Sequence, residues 1–253
     1  MVWLPKVRIF LNQHNDLNQN LDEIKGVLFL DFYEFCSMSL AYIKETGKSG
    51  KLGLWHISES VHELLKRRQF SKEDLAVLNS FTHDNRKKEW LVSRILVEEL
   101  TGEKKSQLIY DEHSKPFLKD SKKHLSLSHS HNLIAIIIDE QKTGIDIELI
   151  QPNVLKIKEK FISMKEWESL GKNNIAEKLT LYWCAKESLY KYYGKKKLIF
   201  KEDLMVEPFE YSEKGKLTAR IHHETMQKGF ELNYETVSAQ GEKYMMVYIL
   251  KEV

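Results

Sequence analysis

Residues 125–150, LSLSHSHNLIAIIIDEQKTGIDIELI, hold three strand candidates in close succession: Leu125–Ser128, Leu133–Asp139 and Gly144–Ile150. Short polar turns separate them, the pattern of an antiparallel meander. In the third, Ile145, Ile147 and Leu149 alternate with Asp146 and Glu148, so a strand here buries one face and sets both carboxylates on the other. Such an i, i+2 acid pair suits magnesium, which takes one or two carboxylates and completes its shell with phosphates and water. Taken alone, the pair reads more readily as two solvated acids on a half-exposed strand.

Working outward, a strand-like Leu52–Ile57 is followed by a helix from about Ser60. Ser71 with Asp74 three residues on opens a second helix, and a stronger helical pattern runs from Asp84 to Leu100, stopping before Thr101-Gly102. Beyond the meander come a helical stretch around Lys156–Leu170 and a long helix from Asn174 to Tyr193, ended by Gly194. Leu217–His222, Phe230–Thr236 and Tyr244–Leu250 then alternate as strands of a second antiparallel sheet. The expected fold is α+β in two similar halves, residues 38–140 and 141–253, each a small antiparallel sheet packed with a long helix. Residues 1–37, Asn/Gln-rich and then briefly apolar without clean periodicity, read as an extension, with Met38 the expected true start. A genuine extra structural element is the competing reading.

The long helix carries the second chemical signal. Trp183, Glu187 and Lys191 are four residues apart and share one stripe. So aromatic a helix is mostly buried, and charges kept on it need a metal, a phosphate or a cleft as partner. Ser128-His129-Ser130-His131 reads as a tight turn where hydroxyls and imidazoles converge on phosphate oxygens, or simply as a polar hairpin. Lys115-Pro116 places a charge on a stiffened loop, and Arg86, Lys87, Lys88 and Arg94 put positive charge on the first-half helix.

In order, Lys115-Pro116, Ser128-His129-Ser130, Gly144-Ile145-Asp146-Ile147-Glu148 and Trp183-Cys184-Ala185-Lys186-Glu187-Ser188-Leu189-Tyr190-Lys191 resemble the surfactin-synthetase-activating type of 4′-phosphopantetheinyl transferase. The resemblance runs from about Trp55 to Val253. It implies a monomer of two halves related by a pseudo-twofold axis, with coenzyme A in the cleft between them. By the same resemblance Asp146, Glu148 and Glu187 hold Mg2+ on the coenzyme A pyrophosphate. Lys115, Pro116, Ser128, His129 and Lys186 bind the nucleotide and phosphates. Lys191 contacts the pyrophosphate and helps 3′,5′-adenosine bisphosphate depart, while Glu187, directly or through water, accepts the proton of the attacking serine of an apo acyl or peptidyl carrier protein. Two departures stand out: Ser114 occupies a position where the family often has glycine, and only Lys72 lies near an early basic pair, for which Arg86 or Lys88 is the expected substitute.

Composition narrows the alternatives. Thirty-nine basic against 37 acidic residues, net +2, give no chain-wide field for nucleic acid or an anionic membrane. Cys36 and Cys184 form neither a ligand spacing nor a disulfide framework, which points to the cytoplasm. No apolar run approaches a membrane span, and Met-Val-Trp-Leu-Pro-Lys lacks the pattern of a signal peptide. Two other readings stay open: another magnesium-dependent phosphoryl enzyme, disfavoured by the absence of a phosphate-cradling glycine loop, and a homologue that binds coenzyme A or carrier without transfer.

Overall fold

A computed structural model describes residues 40–104, 107–112, 115–195 and 198–253, all in one compact unit; the reading of residues 1–37 as an extension falls outside them. Strands β1 (Leu40–Thr46), β2 (Gly50–His56), β5 (His124–Ser130) and β6 (Leu133–Asp139) form one antiparallel sheet in the order β1-β2-β6-β5. Strands β7 (Ile145–Leu149), β8 (Leu204–Val206), β9 (Lys214–His223), β10 (Met226–Ala239) and β11 (Glu242–Glu252) form a second, ordered β7-β11-β10-β9-β8. A short hairpin pairs β3 (Leu108–Tyr110) with β4 (Pro116–Leu118).

Helices α1 (Val61–Leu65), α2 (Lys72–Ser80) and α3 (Asp84–Thr101) belong to the first half. Ser60 and Ser71 each close a capping box, with Glu63 and Asp74, so the serine-plus-acid signal does set these helix starts. The second half carries a 3-10 helix (Pro152–Lys160), α4 (Met164–Ser169), α5 (Ile175–Tyr193) and α6 (Phe200–Asp203). The helical stretch expected around Lys156–Leu170 is thus two pieces, because Ser163 and Glu166 form a fresh capping box and restart the helix. Gly194 ends α5 in the left-handed region at φ 71°. The protein is α+β, with one long helix on each sheet. Among the described residues no helix is long and apolar enough to cross a membrane.

Three apolar clusters hold this together. Helix α3 packs Leu91, Ile95 and Leu96 on Ile134, Ile136 and Ile138 of β6, and α5 packs Leu181, Ala185 and Leu189 on Met245, Val247 and Ile249 of β11. Between the sheets, Leu133, Ala135 and Ile137 meet Ile145, Ile147, Tyr244, Met246 and Tyr248. Buried on both faces, β6 explains its unbroken apolar run, and the period-two split of its side chains serves two clusters at once.

The meander expected over residues 125–150 is corrected at its third strand. β5 and β6 form a hairpin turning at His131-Asn132, but β7 pairs with β11 of the other sheet, Ile145 opposite Tyr248 and Leu149 opposite Tyr244. Serine side chains of β5 take the far edge of β7: the Ile145 amide donates to Ser126 Oγ (3.1 Å) and the Leu149 amide to Ser130 Oγ (3.2 Å). Ser128-His129-Ser130 therefore lies within a strand rather than in a turn, and its alternate serines stitch the sheets together.

Gly144 sits where α5 crosses the start of β7. A Cβ there would lie 2.0 Å from the Ser188 carbonyl oxygen, 3.0 Å from its carbon and 3.1 Å from the Tyr192 amide nitrogen. All three are backbone atoms of α5, so no flexible side chain can yield. Gly144→Ala is expected to lower unfolding stability by about 3 kcal/mol in chemical denaturation, the upper range for overpacking. An unchanged midpoint would show that the helix and strand are free to separate.

Candidate active site

That close approach aims α5 at the acid strand. Lys191 Nζ donates to the Ile145 carbonyl (3.0 Å) and to Asp146 Oδ1 (2.7 Å), and Ser128 Oγ donates to the same carboxylate oxygen at 2.7 Å. Asp146 is buried, and its Oδ2 has no hydrogen-bond partner among the described residues. Two residues on, Glu148 accepts from Ser130 Oγ (3.1 Å). Glu187, one turn before Lys191, faces the same space.

These groups line a cavity of about 600 Å3 between the halves. Asp146, Glu148, Glu187, Tyr190, Lys191 and Lys195 come from the second half. Arg86, Glu89 and Trp90 of α3, Tyr110, Lys115, Pro116, and Ser126 to His129 of β5 come from the first. Arg86 Nη1 pairs with Glu89 Oε2 at 2.5 Å, and His129 Nε2 lies 4.0 Å from the same oxygen. Lys115 Nζ rests against Gly194, 2.5 Å from where a Cβ would stand. Burial holds the Lys115 ammonium below the usual lysine range.

The acid ledge is electrostatically overloaded. Burial, then Asp146, pushes Glu187 up to about 7 against the opposing pull of Lys191, with Glu148 adding to the rise. Burial and Asp146 raise Glu148 as well, while Ser130 and Lys191 oppose. Among the described residues no group of three acid, thiol or imidazole side chains is placed to hold a metal ion by itself. Asp146, Glu148 and Glu187 line one cavity, and Asp146 carries a buried oxygen without a hydrogen-bond partner among the described residues, which suits a cation that takes one or two carboxylates and completes its shell with phosphate and water. The two solvated acids of the alternative reading are not what β7 presents: Asp146 is 3% exposed, and both faces of the strand are packed.

Most of the expected site residues meet in this cavity: Asp146, Glu148, Glu187, Lys191, Lys115, Pro116, Ser128, His129 and Arg86. Two expectations are corrected. Lys88 is not among the lining residues. Lys186, expected at the cofactor, is 0% exposed and donates to the Phe161 carbonyl (2.7 Å), Glu166 Oε2 (2.8 Å) and the Phe200 carbonyl (3.0 Å), because one residue along a helix turns a side chain through about 100°. Glu89, Tyr110 and Tyr190 were missed. Tyr190 sits inside a quoted motif and Glu89 three residues after Arg86, a pairing distance on a helix.

Residues 142–244 match the family model of the 4′-phosphopantetheinyl transferase superfamily. Within the chain, 88 residues are 34% identical to 4′-phosphopantetheinyl transferase Sfp of Bacillus subtilis (strain 168), a match spanning 33% of this chain and 39% of that protein. A further 76-residue match, 38% identical, is to 4′-phosphopantetheinyl transferase psf-1 of Bacillus pumilus, covering 28% of this chain and 32% of that one. The chain thus matches well under half the length of these relatives. The matched segment holds β7 and α5 and so includes the whole acid ledge.

Glu187 makes the electrostatics measurable without substrate. The unfolded chain ionises near 4.5, whereas the folded protein keeps the proton to about 7. Stability is therefore lost as pH rises through that interval and levels off above it. In metal-free protein the thermal midpoint is expected to fall between about pH 5 and pH 8, and Glu187→Gln to remove most of the fall and to be the more stable protein at pH 8. Equal slopes for both proteins would show that the carboxylate is not held protonated.

Proposed function

We propose that the protein transfers the 4′-phosphopantetheine group of coenzyme A to a serine of an apo acyl or peptidyl carrier protein, releasing 3′,5′-adenosine bisphosphate, with Mg2+. The observation that carries this reading is one cavity with three carboxylates and Lys191 on one wall and Arg86, Lys115 and His129 on the other. A nucleotide with a pyrophosphate needs both walls: cations for its phosphates and acids for the metal that accompanies them. The superfamily match over the acid wall points the same way.

In this reading Asp146, Glu148 and Glu187 hold Mg2+, with Asp146 Oδ2 the oxygen that has no other partner among the described residues. The bound ion neutralises charge on the phosphoryl oxygens. Lys115, Pro116, Ser128 and His129 seat the nucleotide and phosphates, and Arg86 substitutes for the missing early basic pair. The carrier serine oxygen forms a bond to the β-phosphorus as the bridging P–O bond breaks. Glu187, directly or through water, takes the serine proton. Lys191, already charge-paired beside the ledge, stabilises the departing bisphosphate. The same reading makes the chain a cytoplasmic monomer that binds neither nucleic acid nor membrane, with residues 38–140 contacting nucleotide and 141–253 holding metal. Fatty-acid, polyketide and peptide-synthetase carriers are all eligible.

Incubating the full chain with coenzyme A, Mg2+ and a panel of apo carriers should add the phosphopantetheine arm to at least one, read by mass spectrometry. Chelating the metal should stop the addition. Asp146→Ala and Glu187→Gln should each slow it by about 100- to 1,000-fold while folding survives. A fully active Asp146→Ala protein would refute the metal role. Binding of coenzyme A without any transfer would reduce the family assignment to a fold, and release of free phosphate without carrier would replace transfer with hydrolysis.

We also propose that residues 1–37 are dispensable. A chain starting at Met38 is expected to keep both thermal midpoint and transfer rate; loss of either makes the segment integral.

A further inference from the structure

Among the described residues that line the cavity from the first half, Glu89 is the one acid. It stands among side chains that the reading above gives to phosphate. Arg86 Nη1 donates to Glu89 Oε2 at 2.5 Å, and His129 Nε2, from β5, lies 4.0 Å from the same oxygen. On an open helix face such an i, i+3 pair is worth little. Here the Glu89 side chain is only 16% exposed and lines the cavity, so water screens its charge poorly. Among the described residues no other cation of α3 lines the cavity: Lys87 pairs with Asp84 (3.6 Å), Arg94 is buried with its guanidinium on the Trp90 and Leu108 carbonyls (3.2 and 3.4 Å), and Lys88 lies elsewhere. One carboxylate thus takes the place in which a phosphate oxygen would meet Arg86 and His129 together.

We propose that Glu89 is a specificity-determining residue: it withholds Arg86 and His129 from the donor's 3′-phosphate, so that the chain discriminates little between nucleotides with and without that group. The proposal rests on the functional reading above, in which the pyrophosphate goes with the metal on the acid wall and the remaining phosphate falls to the opposite wall. To reach Arg86 the 3′-phosphate must displace the carboxylate, exchanging one charge-assisted bond for another while the displaced acid stays close and repels it. A neutral amide of the same shape frees the guanidinium without that repulsion.

The test is calorimetric titration of the full chain, with Mg2+ and without carrier, by adenosine 3′,5′-bisphosphate and by adenosine 5′-monophosphate. The wild-type protein is expected to bind the two within a few-fold of each other. Glu89→Gln should tighten the bisphosphate about tenfold, the worth of one hydrogen bond to a charged group, and leave the monophosphate unchanged. Adding Arg86→Gln to Glu89→Gln should erase that gain, because the guanidinium is what the amide frees. In transfer assays Glu89→Gln should lower the KM for coenzyme A but not for 3′-dephospho-coenzyme A, with kcat unchanged for both. Should Glu89→Gln fail to fold, Glu89→Ala carries the same expectations. Weaker bisphosphate binding in the variant would overturn the proposal, since the carboxylate would then be presenting Arg86 to the phosphate. An unmoved ratio of the two affinities, or an equal change in both, would also overturn it and leave Glu89 a structural partner of Arg86, with the functional reading intact. Binding of neither nucleotide by any of these proteins would sink that reading and the proposal with it.

Discussion

Everything at the acid ledge depends on how closely α5 lies on the start of β7. With hydrogen in place of a methyl group at Gly144, the Ser188 carbonyl comes within 2.0 Å of where a Cβ would stand. The helix is then pinned in register from its buried side: Ser188 Oγ donates to the Val247 carbonyl (3.0 Å) and Cys184 Sγ to the Met245 carbonyl (3.4 Å), both on β11. Once that face is fixed, Glu187 and Lys191 point over the edge of β7 into the cavity, and Lys191 reaches both the backbone and the side chain of the acid strand. Gly144 thus sets the distance between two charged elements.

That distance determines the chemistry. Three carboxylates and a single directly bonded ammonium share a poorly solvated wall, so repulsion among the acids is only partly relieved, and the proton affinity of Glu148 and Glu187 rises in response. The arrangement disfavours the fully ionised state of the isolated protein and favours whatever brings positive charge to Asp146 Oδ2. The serine ladder of β5 supports it from the other side, since Ser128 and Ser130 each hold an acid, while Ser126 and Ser130 also accept the β7 amides. One strand therefore closes a sheet edge and orients two carboxylates with the same short side chains.

The parts legible in the sequence were those carried by local periodicity. The 3.6-residue stripe of α5, the capping serines, and the period-two alternation of β7, β9, β10 and β11 all gave the right element at nearly the right place. Alternation also showed that Asp146 and Glu148 share a face, but not that this face is packed, because burial on the second side is supplied by β5 and α5 from elsewhere in the chain. Pairing order is likewise non-local. Nothing within residues 140–150 distinguishes a strand that continues a meander from one that crosses to another sheet; the choice lies with Tyr244–Tyr248 of β11 and with the serines of β5. The reading of Lys186 failed for a related reason: a motif gives membership of a helix, not which side of it a neighbour occupies.

The two motif lysines show how far that last distinction reaches. Five residues apart, Lys186 and Lys191 are separated by about 140° around α5, so one helix presents the same charge to two different environments. Lys191 stays partly exposed and pairs with an acid at the cavity. Lys186 is withdrawn from water completely, at a desolvation cost that a single carboxylate does not fully offset, and burial accordingly draws its ammonium below the usual lysine range. An apolar residue of similar length would fill the volume without that cost, but it would not hold two carbonyls and a carboxylate in fixed directions. Glu166, the carboxylate in question, in turn accepts from the Ser163 amide (2.9 Å) and the Val206 amide (3.0 Å), so the pair ties α4, α5, α6 and β8 to one point. The buried charge is thus better explained by the segments it holds at one point than by the stability it contributes.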